Sequence, residues 1–174
     1  LAAATGKLSY RMTGADARLR KQFKMAIGQF EGVEEALARI AGFAYQLEAT
    51  RIMTAGAVDL QIKPSVPSAI AKYHMTEMGR KIVNDSMDIH GGRAVIAGDR
   101  NYLAHGYMGT PISITVEGAN ILTRTLMIFG QGAVRCHPFV FPEMEAAANP
   151  DAEEGLRQFD KLLDAITTMP EFVE

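Results

Sequence analysis

The carboxylate of Glu117 is the group in this sequence best suited to acid–base chemistry. Its neighbours are small or apolar, namely Val116, Gly118, Ala119 and Ile121. A carboxylate in such a segment is either favoured by the dipole at the start of a helix or held as a general base in a closed pocket. Burial raises the pKa of a carboxylate by more than a helix terminus lowers it. In a closed apolar pocket, Glu117 would therefore suit removal of a proton beside a carbonyl group.

A basic segment and two glycine clusters are candidates for anion binding. The basic segment is Arg18-Leu19-Arg20-Lys21-Gln22-Phe23-Lys24. Arginine binds phosphate or carboxylate through its planar guanidinium, but the segment also suits a solvent-exposed start of a helix. The glycine clusters are Gly91-Gly92 and Gly130-Gln131-Gly132. Either cluster would let a backbone approach a ligand closely, although glycine after a helix is more often a cap.

Metal binding and nucleophilic hydrolysis find little support in the sequence. No Glu-x-x-His pair occurs, and His74 and Glu77 have this spacing only in the reverse order. A bundle that holds two irons needs that pair on facing helices. Cys136 precedes His137, but adjacency in sequence does not create nucleophile–base geometry. A lone cysteine is more often a small buried hydrophobic residue, so we predict no metal site and no hydrolase centre.

Composition narrows the class of protein. The chain has 174 residues, 48% of them hydrophobic and 22% charged, which is typical of one globular domain. A net charge of −2 gives no basic surface for nucleic acid. The single cysteine rules out an internal disulfide and favours a reducing, cytoplasmic compartment. No apolar run approaches the length of a membrane span, although membrane association of a longer protein stays open. Because the first residue is Leu1 rather than Met, we expect a piece of a longer protein.

Hydrophobic periodicity predicts two long helices that should lie antiparallel. In the first, over residues 32–60, apolar residues recur at steps of three and four. The second, over residues 65–89, follows a proline-containing junction. It should end at His90-Gly91-Gly92, where a glycine suits a left-handed backbone.

The rest of the chain predicts shorter elements. We expect a short helix over 99–107, an extended segment over 111–116, a helix over 117–129 and a last helix over 152–167. Residues 1–15 are small and polar and are predicted to be flexible. The fold class is therefore all-α, most simply a four-helix bundle with an irregular glycine-rich lobe.

Four blocks together resemble the C-terminal helical domain of the acyl-CoA dehydrogenase family, in its large bacterial fatty-acid branch. They are Arg20-Lys21-Gln22-Phe23, Asp88-Ile89-His90-Gly91-Gly92, Thr115-Val116-Glu117-Gly118-Ala119-Asn120-Ile121-Leu122-Thr123-Arg124, and Phe129-Gly130-Gln131-Gly132-Ala133-Val134-Arg135-Cys136-His137-Pro138. The resemblance covers residues 16–150. The segment 151–174 resembles the start of an additional C-terminal helical region.

This resemblance implies an FAD-dependent enzyme that oxidises fatty acyl-CoA to trans-2-enoyl-CoA in fatty acid β-oxidation. Glu117 would remove the α-proton, and the next residue, Gly118, would bind the substrate. The backbone N–H of Glu117 would help to stabilise the thioester oxygen. Positions matching the cofactor contacts are Arg20, Gln22 and Phe23, which would reach the FAD of a neighbouring subunit, and Gly91 and Gly92, on its adenosine side.

The same resemblance implies two partners, namely further copies of the chain in a homodimer or larger homo-oligomer, and an electron-transfer flavoprotein. The charge balance predicts no nucleic-acid partner. The chain departs from the residues common in the family at three positions, Lys24, Asp88 and Ala119. The family's N-terminal and middle domains lie outside this sequence, and we expect little or no activity from this chain alone. Two alternatives stay open, an acyl-CoA oxidase and a non-catalytic helical dimerisation module.

Overall fold

The structure is a computed structural model that describes residues 1–168. Its helices are α1 (Ala2–Leu19), α2 (Glu31–Asp59), α3 (Ser65–His90), α4 (Gly92–Val95), α5 (Tyr102–Thr115), α6 (Asn120–Leu122), a π-helical segment (Thr123–Ala133), α7 (Val134–Cys136), α8 (Val140–Ala147) and α9 (Ala152–Thr167). A short antiparallel hairpin, β1 (Lys21–Gln22) and β2 (Met25–Ala26), and a 3-10 turn (Ile27–Gln29) lie between α1 and α2.

Four long helices form the first of two compact units, Leu1–Arg124. Helices α1, α2 and α3 pack pairwise against one another, and α5 packs against α3. Ile40, Leu47 and Ile82 are fully buried in the core. Burying side chains of this size supplies most of the favourable free energy of such a bundle. The all-α fold class is thereby confirmed. One of the four helices, α1, lies in a segment that the sequence predicted to be flexible.

Helix α1 corrects the prediction that residues 1–15 are flexible. Its buried residues recur at steps of three and four, and they are Ala3, Gly6, Ser9, Thr13 and Ala17. None is a large hydrophobic residue, so the apolar pattern that signals a core-facing helix is absent from the sequence. Small residues let the helix approach its neighbours closely. A Cβ atom on Gly6 would lie only 2.8 Å from Leu47 Cδ1.

Helices α2 and α3 confirm the two long predicted helices. The side chain of Arg39 on α2 joins them, because its Nε and Nη2 each donate to a carboxylate oxygen of Asp85 on α3 at 2.9 Å. These hydrogen bonds and the charge of Asp85 raise the pKa of the Arg39 guanidinium. Helix α3 ends at the predicted glycines, and Gly91 adopts a positive φ of 62°.

Helix α5 corrects two predictions. It begins at Tyr102 rather than at residue 99, and it continues to Thr115 through the segment 111–116 that the sequence indicated as extended. Isoleucine, threonine and valine favour strands, but here packing against α3 decides the conformation. Pro111 lies inside the helix, and the hydroxyl of Thr115 donates to its carbonyl oxygen at 2.9 Å.

The predicted helix over 117–129 is wrong at its start. Glu117 has a φ of 54° and Gly118 a φ of 90°, which is left-handed backbone that cannot continue a helix. Helical structure resumes only at Asn120, and wide π turns replace the α-helix from Thr123 onward.

The second unit begins at Thr125 and contains α8 and α9, which pack together. Helix α9 has the predicted bounds, and the side chain of Asp151 accepts hydrogen bonds from the backbone N–H groups of Glu153 and Glu154. The two helices approach very closely at Gly155. A Cβ atom there would lie 2.5 Å from the carbonyl oxygen of Ala146, so only glycine fits.

Asn101 holds the start of α5, and Asn101→Ala is expected to destabilise the first unit by about 2–3 kcal/mol. Its Nδ2 donates to the carbonyls of Ala94 (2.6 Å) and Ile96 (2.8 Å). Its Oδ1 accepts from the N–H groups of Leu103 (3.1 Å) and Ala104 (2.9 Å). Because Asn101 is buried, the variant leaves these backbone groups without partners.

Urea unfolding followed by circular dichroism measures this loss, with Asn84→Ala on α3 as the matched control. Asn84 is exposed, and its replacement should change the free energy of unfolding little. Equal unfolding midpoints for the two variants would contradict the capping role of Asn101.

Candidate functional site

Glu117 lies in a strained turn between α5 and α6. The backbone of Val116 is extended, and then Glu117 and Gly118 both take positive φ values of 54° and 90°. Left-handed backbone is uncommon for residues other than glycine and costs on the order of 1–3 kcal/mol. Such strain persists only where neighbouring structure fixes the conformation. The turn therefore holds Glu117 in a position that a relaxed loop would not give it.

The carboxylate of Glu117 is exposed to solvent in this chain. It also lies outside the first turn of α6, whose N-cap is Ala119 with no side-chain cap. The interpretation of Glu117 as a carboxylate favoured by a helix start is therefore wrong. Nor do residues 1–168 form a closed apolar pocket around this carboxylate. Exposed apolar side chains surround it in sequence, including Ile112 (59% exposed), Val116 (48%) and Ile121 (87%).

Lys72 on α3 holds the turn from the side of the bundle. Its ammonium donates to the carbonyl oxygen of Gly118 at 2.6 Å and to that of Ile114, near the end of α5, at 3.3 Å. It also donates to Oδ1 of Asn120 at 2.6 Å. One cation thus joins the end of α5, the turn and the start of α6.

Asn120 completes this hydrogen-bond network. It is buried, and its Nδ2 donates to Thr76 Oγ1 at 2.9 Å and to Glu77 Oε1 at 2.8 Å. The hydroxyl of Thr123, also buried, donates to the carbonyl of Gly118 at 3.1 Å. The network joins α3 to the last turn of α5, the turn itself, the start of α6 and the first residue of the π-helical segment, so the position of the turn depends on α3.

Arg20 and Gly91 are brought together although they are far apart in sequence. The Nη1 of Arg20 donates to the carbonyl of His90 at 3.2 Å, at the end of α3. A Cβ atom on Gly91 would lie 3.7 Å from the same Nη1. A guanidinium has five N–H donors, so this contact does not exhaust its capacity for an anion. The predicted basic and glycine sites thus form one region, beside which Gly92 begins α4.

Gln22 and Phe23 lie on the hairpin that follows Arg20. Phe23 and Lys24 form its turn, with φ values of 50° and 69°. Two positive φ angles match the turn type whose twist suits a two-residue hairpin. The rings of Phe23 and Phe30 meet edge to face with their centroids 6.3 Å apart, yet Phe23 is 88% exposed. Gln22 is exposed as well. The hairpin therefore presents an amide and an aromatic ring to solvent.

A cavity of about 680 Å³ lies beside the Arg20 region, between α1, α3 and the segment that leads to α5. His90 and Tyr102 line it, and the Tyr102 hydroxyl lies 2.5 Å from His90 Nε2. His90 Nδ1 lies 2.9 Å from the Ser86 carbonyl, which only accepts, so Nδ1 carries a proton. Burial, with a smaller contribution from Asp16, raises the pKa of the Tyr102 hydroxyl, while Arg93 lowers it.

Four other observations bear on function. Within residues 1–168, no group of three or more histidine, cysteine, aspartate or glutamate side chains is arranged to hold a metal ion. Across the same residues, no helix combines the length and the apolar character that crossing a membrane requires. Cys136, interpreted from the sequence as a small buried residue, is instead exposed. Asp88 is exposed too, which keeps its carboxylate accessible to water.

The structure groups the predicted site residues into two regions. Arg20, Gln22, Phe23, Gly91 and Gly92 belong to the end of α1, the hairpin and the end of α3. The other region is the turn of Glu117 and Gly118. Sequence reasoning missed Lys72. Its signal was a polar stripe of Lys72 and Thr76 one turn apart on α3, next to the buried alanines at 69 and 71.

Two family models match the chain. The model described as acyl-CoA dehydrogenase, C-terminal domain, matches residues 2–128. The model described as acyl-CoA dehydrogenase, C-terminal, bacterial type, matches residues 134–168. The first model therefore covers the bundle, the Arg20 region and the turn of Glu117.

Individual proteins are similar over part of their length. The 3-(aryl)acrylate reductase of Clostridium sporogenes is 31% identical over 83 residues, which are 46% of this chain and 21% of that protein. An FAD complex of PigA shares the fold with a TM-score of 0.70 and 19% identity, over 77% of this chain and 34% of that one. An acyl-CoA dehydrogenase from Geobacillus kaustophilus shares the fold with a TM-score of 0.70 and 21% identity, over 75% of this chain and 33% of that one. The chain thus spans about a third or less of these proteins.

Proposed function

Because this chain belongs to the acyl-CoA dehydrogenase family, a family of FAD-dependent oxidoreductases, we propose that it is the C-terminal part of an enzyme that oxidises fatty acyl-CoA to trans-2-enoyl-CoA in β-oxidation. The observation that carries the proposal is the turn at Glu117. A carboxylate on a strained, braced turn, beside exposed apolar side chains, is suited to a pocket that other parts of the protein close.

Glu117 acts as the base in this reaction. Its carboxylate takes a proton from the carbon next to the thioester carbonyl, and the electron pair of that C–H bond begins the new double bond. Negative charge then develops on the thioester oxygen, and a backbone N–H such as that of Glu117 stabilises it. Exposed Val116 and Ile121 supply apolar surface to exclude water from the reacting carbon.

The residues near Arg20 fit a cofactor that carries phosphate groups. The guanidinium of Arg20 lies beside the end of α3, next to Gly91. Because Gly91 has no side chain, no Cβ atom packs against this guanidinium. Arg20 would neutralise the pyrophosphate of FAD, and Gln22 and Phe23 would contact the cofactor of a neighbouring subunit from the hairpin. Gly91 and Gly92 would allow close approach on the adenosine side. FAD, when bound, supplies the acceptor for the hydride that leaves the β-carbon.

The proposal includes a homodimer or larger homo-oligomer, since the hairpin would contact the cofactor of a neighbouring subunit. We place an electron-transfer flavoprotein as the oxidant of the reduced enzyme. An acyl-CoA oxidase, which would pass the electrons to oxygen, uses the same groups of this chain. The relative from Clostridium sporogenes is named as a reductase of 3-arylacrylates. In that direction, protonated Glu117 would return the proton to the α-carbon, so reduction is the second candidate.

Anaerobic mixing of the intact flavoprotein with saturated acyl-CoA thioesters of short, medium and long chains tests the proposal. Loss of the absorbance of oxidised flavin, with one trans-2-enoyl-CoA formed for each flavin, is the expected result. The isolated 174-residue chain serves as the control and should show no turnover, because it spans only part of its relatives.

The reoxidation step separates the remaining alternatives. Reoxidation by an electron-transfer flavoprotein supports the dehydrogenase, whereas rapid formation of hydrogen peroxide in air supports the oxidase. Reduction of an arylacrylate thioester by the reduced enzyme, without oxidation of saturated thioesters, supports the reductase. Binding of FAD without any reaction of thioesters would leave the helical dimerisation module and overturn the proposal.

A further inference from the structure

We propose that Lys72 is a positioning residue for the reaction, acting through the Glu117 turn rather than on the substrate. This inference rests on the proposed function of Glu117. Lys72 lies on α3, and its ammonium contacts the carbonyl of Gly118, which directly follows Glu117. It makes no contact with the Glu117 carboxylate among the hydrogen bonds and ion pairs of the described residues. Its effect on Glu117 is therefore carried by the backbone.

The geometry explains why a cation is required at this place. The carbonyl of Ile114 lies in the last turn of α5, where helix carbonyls lack partners and carry partial negative charge. The carbonyl of Gly118 accepts a hydrogen bond from the same ammonium at 2.6 Å. One ammonium has three N–H donors, and Lys72 has three oxygen acceptors here, including Asn120 Oδ1.

These contacts select the conformation of Glu117. Without the ammonium, the carbonyls of Ile114 and Gly118 would repel each other and would turn toward water to form hydrogen bonds. The turn would then relax from its positive φ values. Such relaxation would displace the carboxylate relative to the α-carbon. Misplacement of a reacting group by about 1 Å costs on the order of 100-fold in rate. A positioning role thus predicts a loss in proton transfer with little loss in binding.

Lys72→Met in the intact holoenzyme is the direct test, because methionine keeps much of the stem and removes the charge. Two measurements are made, kcat and KM with a saturated acyl-CoA, and exchange of the α-hydrogens of 3,3-dimethylbutanoyl-CoA with deuterium oxide. That thioester has no β-hydrogen, so exchange reports on the base alone. We expect both kcat and the exchange rate to fall by about 10- to 100-fold, with KM and bound FAD unchanged.

Thr123→Val and Lys81→Met accompany this variant. The first removes the second donor to the Gly118 carbonyl while keeping a branched side chain, and it should give a smaller loss of the same kind. The second removes an exposed cation from the same helix and should change neither rate. Thr123→Val also keeps the inference testable if Lys72→Met fails to fold.

The outcomes are distinct from failure of the proposed function. If Glu117→Gln abolishes exchange but folded Lys72→Met and Thr123→Val exchange at the unaltered rate, the positioning role is wrong and the function of Glu117 stands. A rise in KM or a loss of FAD in proportion to the fall in kcat would show a merely structural role and also overturn the inference. If Glu117→Gln itself retains full exchange, the proposed function fails first.

Discussion

Glu117→Gln in the intact flavoprotein is expected to lower kcat by about 1,000-fold or more while FAD stays bound. Glutamine keeps the size of the side chain and removes the group that accepts the proton, and general base catalysis contributes on the order of 10²–10⁴-fold. The flavin site should survive, because Arg20, Gly91 and the hairpin belong to other elements of the bundle. Stopped-flow reduction of the flavin by a saturated acyl-CoA measures the effect.

The matched control is Glu34→Gln, an exposed glutamate on α2. It should leave the rate of flavin reduction unaltered. Circular dichroism and the flavin-to-protein ratio establish that both variants are folded and loaded. Full activity in folded, FAD-containing Glu117→Gln would show that another group is the base and that the turn serves a different purpose.

Arg20→Gln is expected to weaken FAD binding by about 10- to 100-fold. A hydrogen bond to a charged group contributes about 1.5–3 kcal/mol, and the guanidinium would meet the pyrophosphate through at least one such bond. Fluorescence titration of the apoprotein with FAD gives the dissociation constant. Arg18→Gln, two positions earlier and exposed on α1, is the control and should bind FAD normally.

Mixed oligomers sharpen this second prediction. If Arg20 serves the cofactor of a neighbouring subunit and Glu117 the substrate of its own, a dimer of one Arg20→Gln and one Glu117→Gln subunit contains one intact site. Each homodimer would then be impaired while the mixture recovers activity. If a verified heterodimer does not recover activity, both residues serve the same site of one chain. Equal FAD affinity of the Arg20 and Arg18 variants would remove Arg20 from the cofactor site altogether.

The sequence was most informative where large aliphatic side chains mark one face of a helix. Helices α2, α3 and α9 follow the predicted bounds closely for that reason. Helix α1 escaped, because its buried face consists of alanine, glycine, serine and threonine, whose close packing cannot be read from hydrophobicity. At residues 111–116, strand propensity pointed the wrong way, and packing of α5 against α3 decided the structure.

For the site, the sequence indicated residue types but not their arrangement. The proximity of Arg20 to the end of α3 joins positions 70 residues apart, which no local pattern encodes. The conformation of the Glu117 turn depends on Lys72, which is 46 residues before Gly118. Burial of Glu117 could not be judged from its apolar neighbours, since two of them, Val116 and Ile121, are themselves exposed in this chain.

The left-handed backbone of Glu117 also means that one substitution can change stability and activity in opposite directions. Glycine adopts this conformation freely, so Glu117→Gly would relieve backbone strain while removing the carboxylate. If Glu117 is the base proposed above, a mutational screen that scores only cellular abundance would classify the inactive Glu117→Gly variant as normal, and only a screen for growth or turnover would detect its loss of activity.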